Sequence, residues 1–188
     1  MLKRIEEFGK YASITGFRNV KIEDTEEFLE KICRKKWSNV EIQFFDAKLV
    51  ATWQHLYFAV LNALTVFKNK ENISKSLAME TMLCASAQRQ IRKATELVGI
   101  KRDSSEIAVL IIGERPETVE STLSMVSKYV KAKLDDTVLD LSGEKIATIQ
   151  EAFGISDFEV KTIVKKDELG RALTDLVIER MALLATQH

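Results

Sequence analysis

The segment Ile107-Ala-Val-Leu-Ile-Ile112 limits most strongly how this chain can fold. It is a short, uninterrupted apolar run, with charged residues before it and Gly113 after it. An apolar residue at every position is typical of a strand in the middle of a sheet, where both faces are covered. The sequence therefore predicts a sheet with helices packed on each side of this strand.

Periodicity elsewhere indicates which segments provide that cover. The segment 52–68 is apolar at two interleaved sets of helical positions, which predicts a helix buried on most sides, with His55 and Asn62 on a thin polar stripe. The predicted elements, in chain order, are a strand at 10–20, a helix at 24–36, a strand at 40–45, helices at 52–68, 75–87 and 88–98, the strand at 107–112, and helices at 117–129, 144–153 and from Lys166 onward.

This order of elements predicts a mixed α/β (α+β) fold. We expect a small central β-sheet covered by helices, with a helical cluster in the middle of the chain. The sequence has no internal repeat and no convincing domain boundary, so a single domain is expected over residues 1–188.

Few residues suited to metal binding or acid–base catalysis are present. Cys33 and Cys84 lie far apart, and the histidines are His55 and His188, so neither a zinc site nor a disulfide framework is supported. No cofactor or metal is expected. Because no apolar run is long enough to cross a bilayer, we expect a soluble protein of the cytoplasm.

Charge is distributed unevenly along the chain, although its formal total is zero. Residues 68–102 contain eight basic and three acidic side chains, whereas residues 103–188 contain 10 basic and 16 acidic ones. An anionic partner would therefore bind preferentially to the middle of the chain.

Within this basic segment, polar residues stand near the starts of two predicted helices. They are Asn72, Ser74, Lys75, Ser86, Arg89 and Gln90, and Ser74 is also the predicted N-cap of the helix beginning at Lys75. Helix N-terminal amides with Arg and Lys suit phosphate oxygens, and Asn and Gln can contact base edges. The alternative is a pair of capped helices with a solvated basic face.

Other residues could support an enzyme instead. His55 could act as a base and Cys84 as a nucleophile, and Asp135-Asp136 could bind Mg²⁺. A solitary histidine beside a buried helix usually packs or hydrogen-bonds, and a thiol in an apolar helix is inert. The turn after Gly113 lacks the glycines of a phosphate loop. A small enzyme using His55 or Cys84 therefore remains an alternative without a motif to support it.

Several motifs in order resemble the small kinase-binding subunit of the KEOPS (EKC) complex, in its archaeal form. They are Phe45-Asp46-Ala47, His55-Leu56, Asn72-Ile-Ser-x-Ser-Leu77 with Glu80, Ser86-x-x-Arg89-Gln-Ile91, Gly99-Ile100, Phe153-Gly-Ile155 and Glu179-Arg-x-Ala-Leu-Leu184. The resemblance runs from about residue 40 to the end of the sequence. One departure is Ser86-Ala87, where members of the family often have Ser-Gly.

The resemblance implies a non-catalytic subunit of the machinery that forms threonylcarbamoyl-adenosine (t6A) in tRNA. It implies direct binding to the small protein-kinase-like ATPase of the complex, which in turn contacts the threonylcarbamoyl transferase. It also implies binding of the 3′ CCA end of tRNA, which we expect at the six polar residues of the basic segment. An RNA-binding module without a kinase partner is the alternative.

The predicted helix at the end of the sequence has more apolar residues than one buried face requires. Leu169, Leu173, Leu176, Val177 and Leu183 can face the core, and Ile178, Met181 and Leu184 widen the apolar stripe. We therefore predict that Ile178, Met181 and Leu184 bind the kinase. The alternative is that they complete the core or contact a second copy.

Overall fold

The computed structural model describes residues 1–33, 39–164 and 168–186. Its strands are β1 (Leu2–Ile5), β2 (Lys10–Arg18), β3 (Val40–Asp46), β4 (Glu106–Gly113) and β5 (Lys133–Leu134). Its α-helices are α1 (Thr25–Cys33), α2 (Trp53–Asn69), α3 (Leu77–Ser86), α4 (Ile91–Val98), α5 (Pro116–Val130), α6 (Gly143–Phe153), α7 (Asp157–Ile163) and α8 (Leu169–Thr186). Short 3₁₀ turns cover Glu6–Phe8, Ala47–Leu49 and Asp136–Leu139.

The strands form an antiparallel sheet in the order β1-β2-β4-β3, and the short β5 also pairs with β2. The predicted central strand is β4, which pairs with β2 on one side and β3 on the other. Leu110 lies opposite Ile14 in β2 and opposite Gln43 in β3. The mixed α/β fold with a small helix-covered sheet is therefore confirmed.

Side chains of β4 alternate between two hydrophobic clusters, one on each face of the sheet. Leu110 and Ile112 belong to the larger cluster with α2, α3, α6 and α8. Val109 and Ile111 belong to the smaller cluster, which includes residues of α1 and α5. Both faces of β4 are buried, which explains why the strand is apolar at every position.

The helix α2 is buried on most sides, as its two interleaved apolar sets predict. His55, Leu56, Ala59, Val60 and Ala63 are all fully buried. The prediction that His55 and Asn62 form a polar stripe is only partly correct. Asn62 is half-buried at the surface, whereas His55 has no exposed area.

Several elements differ from the sequence-based expectations. β1, β5 and α7 were not predicted, α4 begins at Ile91 rather than at residue 88, and α8 begins at Leu169. The expected basic end of α1 at 34–36 and the expected start of α8 at 166 lie outside the described residues.

The N-cap of α3 is Ser76, not Ser74. Ser76 Oγ accepts a hydrogen bond from the amide of Met79 at 3.3 Å. Ser74 Oγ instead accepts from the amide of Ser76 at 3.2 Å, so Ser74 closes the turn that precedes the helix. The prediction failed because two serines two residues apart offer the same capping oxygen.

Candidate functional site

The loop before α3 is held by two carboxylates. Glu80, which is buried, accepts from the amide of Ser74 at 2.6 Å. Glu41 on β3 accepts from Ser76 Oγ at 2.8 Å and from the amide of Ala78 at 3.1 Å. A carboxylate at these amides also interacts favourably with the positive end of the α3 dipole. The loop is therefore fixed to both the sheet and the helix.

Of the predicted RNA-contacting residues in this loop, only Lys75 is fully exposed. Asn72 is half-buried and donates from Nδ2 to the carbonyl oxygen of Ser74 at 2.9 Å. Ser74 is 7% exposed. Asn72 and Ser74 thus shape the loop. The loop turns the Ser74 side chain inward, and its contact with RNA stays a prediction.

The second group of predicted residues lies in the turn between α3 and α4. Ser86 is 1% exposed and donates from Oγ to the carbonyl oxygen of Leu83 at 3.1 Å, so its side chain faces inward and its contact with RNA stays a prediction. Arg89 and Gln90 are exposed. Gln90 occupies the N-cap position of α4 without making a side-chain capping bond, so the first-turn amides of α4 receive none from their cap.

Ala87 gives this turn its shape. It ends α3 in the left-handed region, at φ 51° and ψ 39°. Its amide bonds to the carbonyl of Cys84, and the amide of Gln88 bonds to the carbonyl of Leu83 at 3.1 Å. Glycine is the usual residue at such a helix end, so alanine at position 87 departs from the common pattern.

The two groups of polar residues lie at opposite ends of α3, about 15 Å apart for a ten-residue helix. Arg89 nevertheless reaches a hollow that also contains residues of the loop before α3. We call this the Arg89 hollow, and it is lined by Asn62, Val66, Glu71, Ile73, Glu80, Cys84, Arg89, Met181 and Leu184. Lys75, Arg89 and Gln90 thus form the exposed remainder of the predicted RNA site.

A larger hollow lies further along the same helices. We call it the Ile178 hollow; its volume is about 560 Å³ and it is lined by Thr52, Gln54, Phe58, Leu141, Gly170, Arg171, Thr174, Asp175 and Ile178. The first halves of α2 and α8 line this hollow, and their second halves line the Arg89 hollow. The helices α2 and α8 therefore run side by side in the same direction.

The three predicted kinase-binding residues differ in accessibility. Ile178 and Leu184 are half-buried at the surface, but Met181 is 1% exposed and belongs to the larger core cluster. The Met181 side chain faces the core, and its contact with a partner stays a prediction. Sequence reasoning missed Phe58, which is 40% exposed in the Ile178 hollow. Phe58 lies outside the two apolar sets that predict the buried faces of α2, which was the available signal of its exposure.

His55 is a structural residue of the core. Its Nδ1 accepts from the amide of Ala51 at 3.2 Å, and its Nε2 lies 2.8 Å from the carbonyl oxygen of Ala85, to which it donates. The ring packs edge-on against Phe153, with centroids 5.6 Å apart. Burial, together with a smaller effect of the nearby positive charge of Lys145, lowers the pKa of His55 to about 4. These contacts hold a neutral imidazole and leave neither nitrogen for a substrate.

The other candidate reactive groups are also engaged. Burial and the neighbouring charge of Glu80 raise the pKa of Cys84 to about 12, so the thiol is protonated and unreactive. Asp135 accepts from Arg18 Nε at 2.9 Å, and Asp136 accepts from the amide of Gly16 at 2.9 Å. The two aspartates thus attach the Asp136–Leu139 turn to β2.

Among residues 1–33, 39–164 and 168–186, no cluster of three or more His, Cys, Asp or Glu side chains is arranged to hold a metal ion. Within the same ranges, no helix is both long and apolar enough to cross a membrane.

Comparison with known proteins identifies the family. A family model described as kinase binding protein CGI-121 matches residues 17–185. The regulatory protein Cgi121 of Methanocaldococcus jannaschii is 34% identical over 119 residues, which cover 63% of this chain and 74% of that protein. The EKC/KEOPS complex subunit CGI121 of Candida glabrata is 31% identical over 121 residues, which cover 64% of each protein. This chain therefore belongs to the CGI-121 family of kinase binding proteins, which confirms the family predicted from its motifs.

Proposed function

We propose that this chain is a non-catalytic regulatory subunit of a KEOPS complex. In this role it binds the protein-kinase-like ATPase directly, is linked through it to the threonylcarbamoyl transferase, and binds the 3′ CCA end of tRNA to support t6A formation. The observation that carries the proposal is the family match over residues 17–185, supported by relatives named as a regulatory protein and as a KEOPS subunit.

The kinase-like ATPase is proposed to dock at the Ile178 hollow. Phe58, which is 40% exposed, and Ile178, which is half-buried, line this hollow between α2 and α8. Aromatic and aliphatic side chains in a shallow depression are typical anchors of a protein interface. Arg171 and Asp175 at its edge suit the polar rim of such an interface.

Charge reversal at the surface tests this docking site. Phe58→Asp should lower the affinity for the ATPase subunit of the same complex at least tenfold, measured by calorimetry, because a charge would be buried against apolar side chains. Met125→Asp is the matched control, since Met125 is similarly exposed, at 37%, on α5 across the sheet. Equal affinity of the Phe58→Asp and Met125→Asp proteins would exclude the Ile178 hollow as the docking site.

The tRNA end is proposed to bind beside the α3–α4 turn. Arg89 supplies positive charge at the turn, and Lys75 supplies it at the opposite end of α3, about 15 Å away. Gln90 supplies hydrogen-bonding groups at the N-terminus of α4, where its side chain makes no capping bond. Such an arrangement suits phosphate oxygens and the edges of unpaired bases. Asn72, Ser74 and Ser86 support this surface from within through the hydrogen bonds that shape the loop and the turn.

Two RNAs and two variants test this site. Arg89→Glu should weaken binding of tRNA about tenfold or more and reduce the salt dependence of the affinity, because a phosphate contact becomes a repulsion. Arg102→Glu makes the same charge change at an exposed position outside the Arg89 hollow and should have a much smaller effect. If tRNA lacking its CCA nucleotides bound the wild-type chain as tightly as intact tRNA, the proposed role in end recognition would be rejected.

A further inference from the structure

The α3–α4 turn depends on three successive carbonyl groups at the end of α3. The Leu83 carbonyl accepts from the amide of Gln88, and the Cys84 carbonyl accepts from the amide of Ala87. The Ala85 carbonyl lies 2.8 Å from His55 Nε2, on α2. The first two bonds are local to the turn, whereas the third connects it to a different helix.

His55 is itself held from three directions. The amide of Ala51 donates to Nδ1, which makes Nδ1 the acceptor and leaves the proton on Nε2, pointing at Ala85. Phe153 fixes the plane of the ring from α6. Phe153 also lines a hollow of about 190 Å³ together with Ser86, Ala87 and Gln88, so the Phe153 ring and the α3–α4 turn border the same space.

A residue needed only to fill this space would be apolar. The position is fully buried, and burying an imidazole without use for its nitrogens would cost free energy. Both nitrogens are used here, and one of them bonds to the segment that carries Arg89. One of the two hydrogen bonds of His55 therefore serves to fix the shape of the turn.

We infer that His55 is a positioning residue for RNA binding. By holding the Ala85 carbonyl, it keeps Ala87 in its left-handed conformation and sets the direction in which Arg89 and Gln90 project. This inference rests on the proposed function, because it assigns His55 to the presentation of the proposed tRNA site.

Three variants separate positioning from stability. His55→Phe keeps a ring against Phe153 but removes both hydrogen bonds of the imidazole. His55→Gln keeps a hydrogen-bond donor of similar reach. Leu56→Ala removes a buried side chain from the same helix and leaves both hydrogen bonds of His55 in place. We expect His55→Phe to weaken binding of intact tRNA about tenfold, as for one lost hydrogen bond that fixes the turn. His55→Gln should restore most of the affinity, and Leu56→Ala should bind as the wild type does at temperatures where it is folded.

Hydrogen exchange of the backbone amides provides a readout that needs no RNA. Exchange at Gln88 and its neighbours in the turn should be at least tenfold faster in His55→Phe than in Leu56→Ala, relative to the core of each protein. If His55→Phe does not fold, Phe153→Leu replaces it, since loss of that ring frees the imidazole and should also speed exchange in the turn.

The outcomes distinguish a failure of the proposed tRNA binding from a failure of the positioning role of His55. If wild-type protein does not bind tRNA, the proposed function fails, and the exchange data alone decide on His55. If tRNA binds but His55→Phe matches the wild type in affinity and in exchange at the turn, the positioning role is overturned. Equal losses of affinity in His55→Phe and Leu56→Ala would also overturn it, because stability would then explain both.

Discussion

The folded chain should lose stability between pH 6.5 and 4 because of His55. The ordinary pKa of histidine is 6.5, and burial lowers the pKa of His55 to about 4 in the folded state. Between these values the unfolded chain binds a proton at His55 and the folded chain does not. Protonation therefore favours unfolding, so the free energy of unfolding falls as the pH is lowered through this range.

The magnitude follows from the separation of the two pKa values. Each pH unit between them changes the free energy of unfolding by about 1.36 kcal/mol, which gives a total of about 3 kcal/mol. This is a large part of the stability of a typical domain. Urea titrations of the wild type and of His55→Gln at pH 7, 6, 5 and 4 would measure it.

The difference between the two proteins isolates His55. The low-pKa carboxylates, such as Asp135 and Glu159, titrate in the same way in both chains. Lys145, whose pKa burial lowers to about 8, keeps its proton throughout the range. The wild type should lose about 3 kcal/mol more than His55→Gln between pH 7 and pH 4. Parallel curves for the two proteins would refute the argument that the imidazole is held neutral.

Two stabilising substitutions follow from the backbone and the core. Ala87→Gly should raise the free energy of unfolding by about 1 kcal/mol, since alanine is strained in the left-handed conformation that position 87 adopts. Denaturant unfolding would detect it, and a loss of stability would show that Ala87 is not strained. Thr15→Val should also stabilise by about 1 kcal/mol, because the Thr15 hydroxyl is buried without a hydrogen-bond partner among the described residues and valine has the same shape. A higher melting temperature is expected, and a lower one would mean that the hydroxyl has a partner in solution.

The major elements of the fold were predictable because their signals are local. The apolar run of β4 and the two apolar sets of α2 reflect burial on all sides, which any packing of these segments must provide. β1 was missed because Lys3 and Arg4 interrupt its apolar residues and its backbone pairing with β2 defines it as a strand. The seven-residue α7 was missed although Ser156 and Glu159 form a capping box, a signal present in the sequence.

The candidate site was harder to predict, because exposure depends on tertiary packing. Ser86 and Arg89 stand three residues apart, yet the left-handed residue between them buries the first and exposes the second. Met181 and Ile178 belong to the same apolar stripe, and the packing of α8 against its neighbouring helices decides that Met181 enters the core. The sequence identifies such residues as candidates but does not determine which of them a partner can reach.

The side-by-side arrangement of α2 and α8 has a consequence for recognition. These helices are distant in the chain, with most of the other helices between them, so the surface they share exists only after the chain has closed on itself. A protein that binds both helices at once would therefore distinguish the folded chain from a nascent or partly unfolded one. Its binding energy would add to the stability of that fold, making assembly and folding mutually reinforcing.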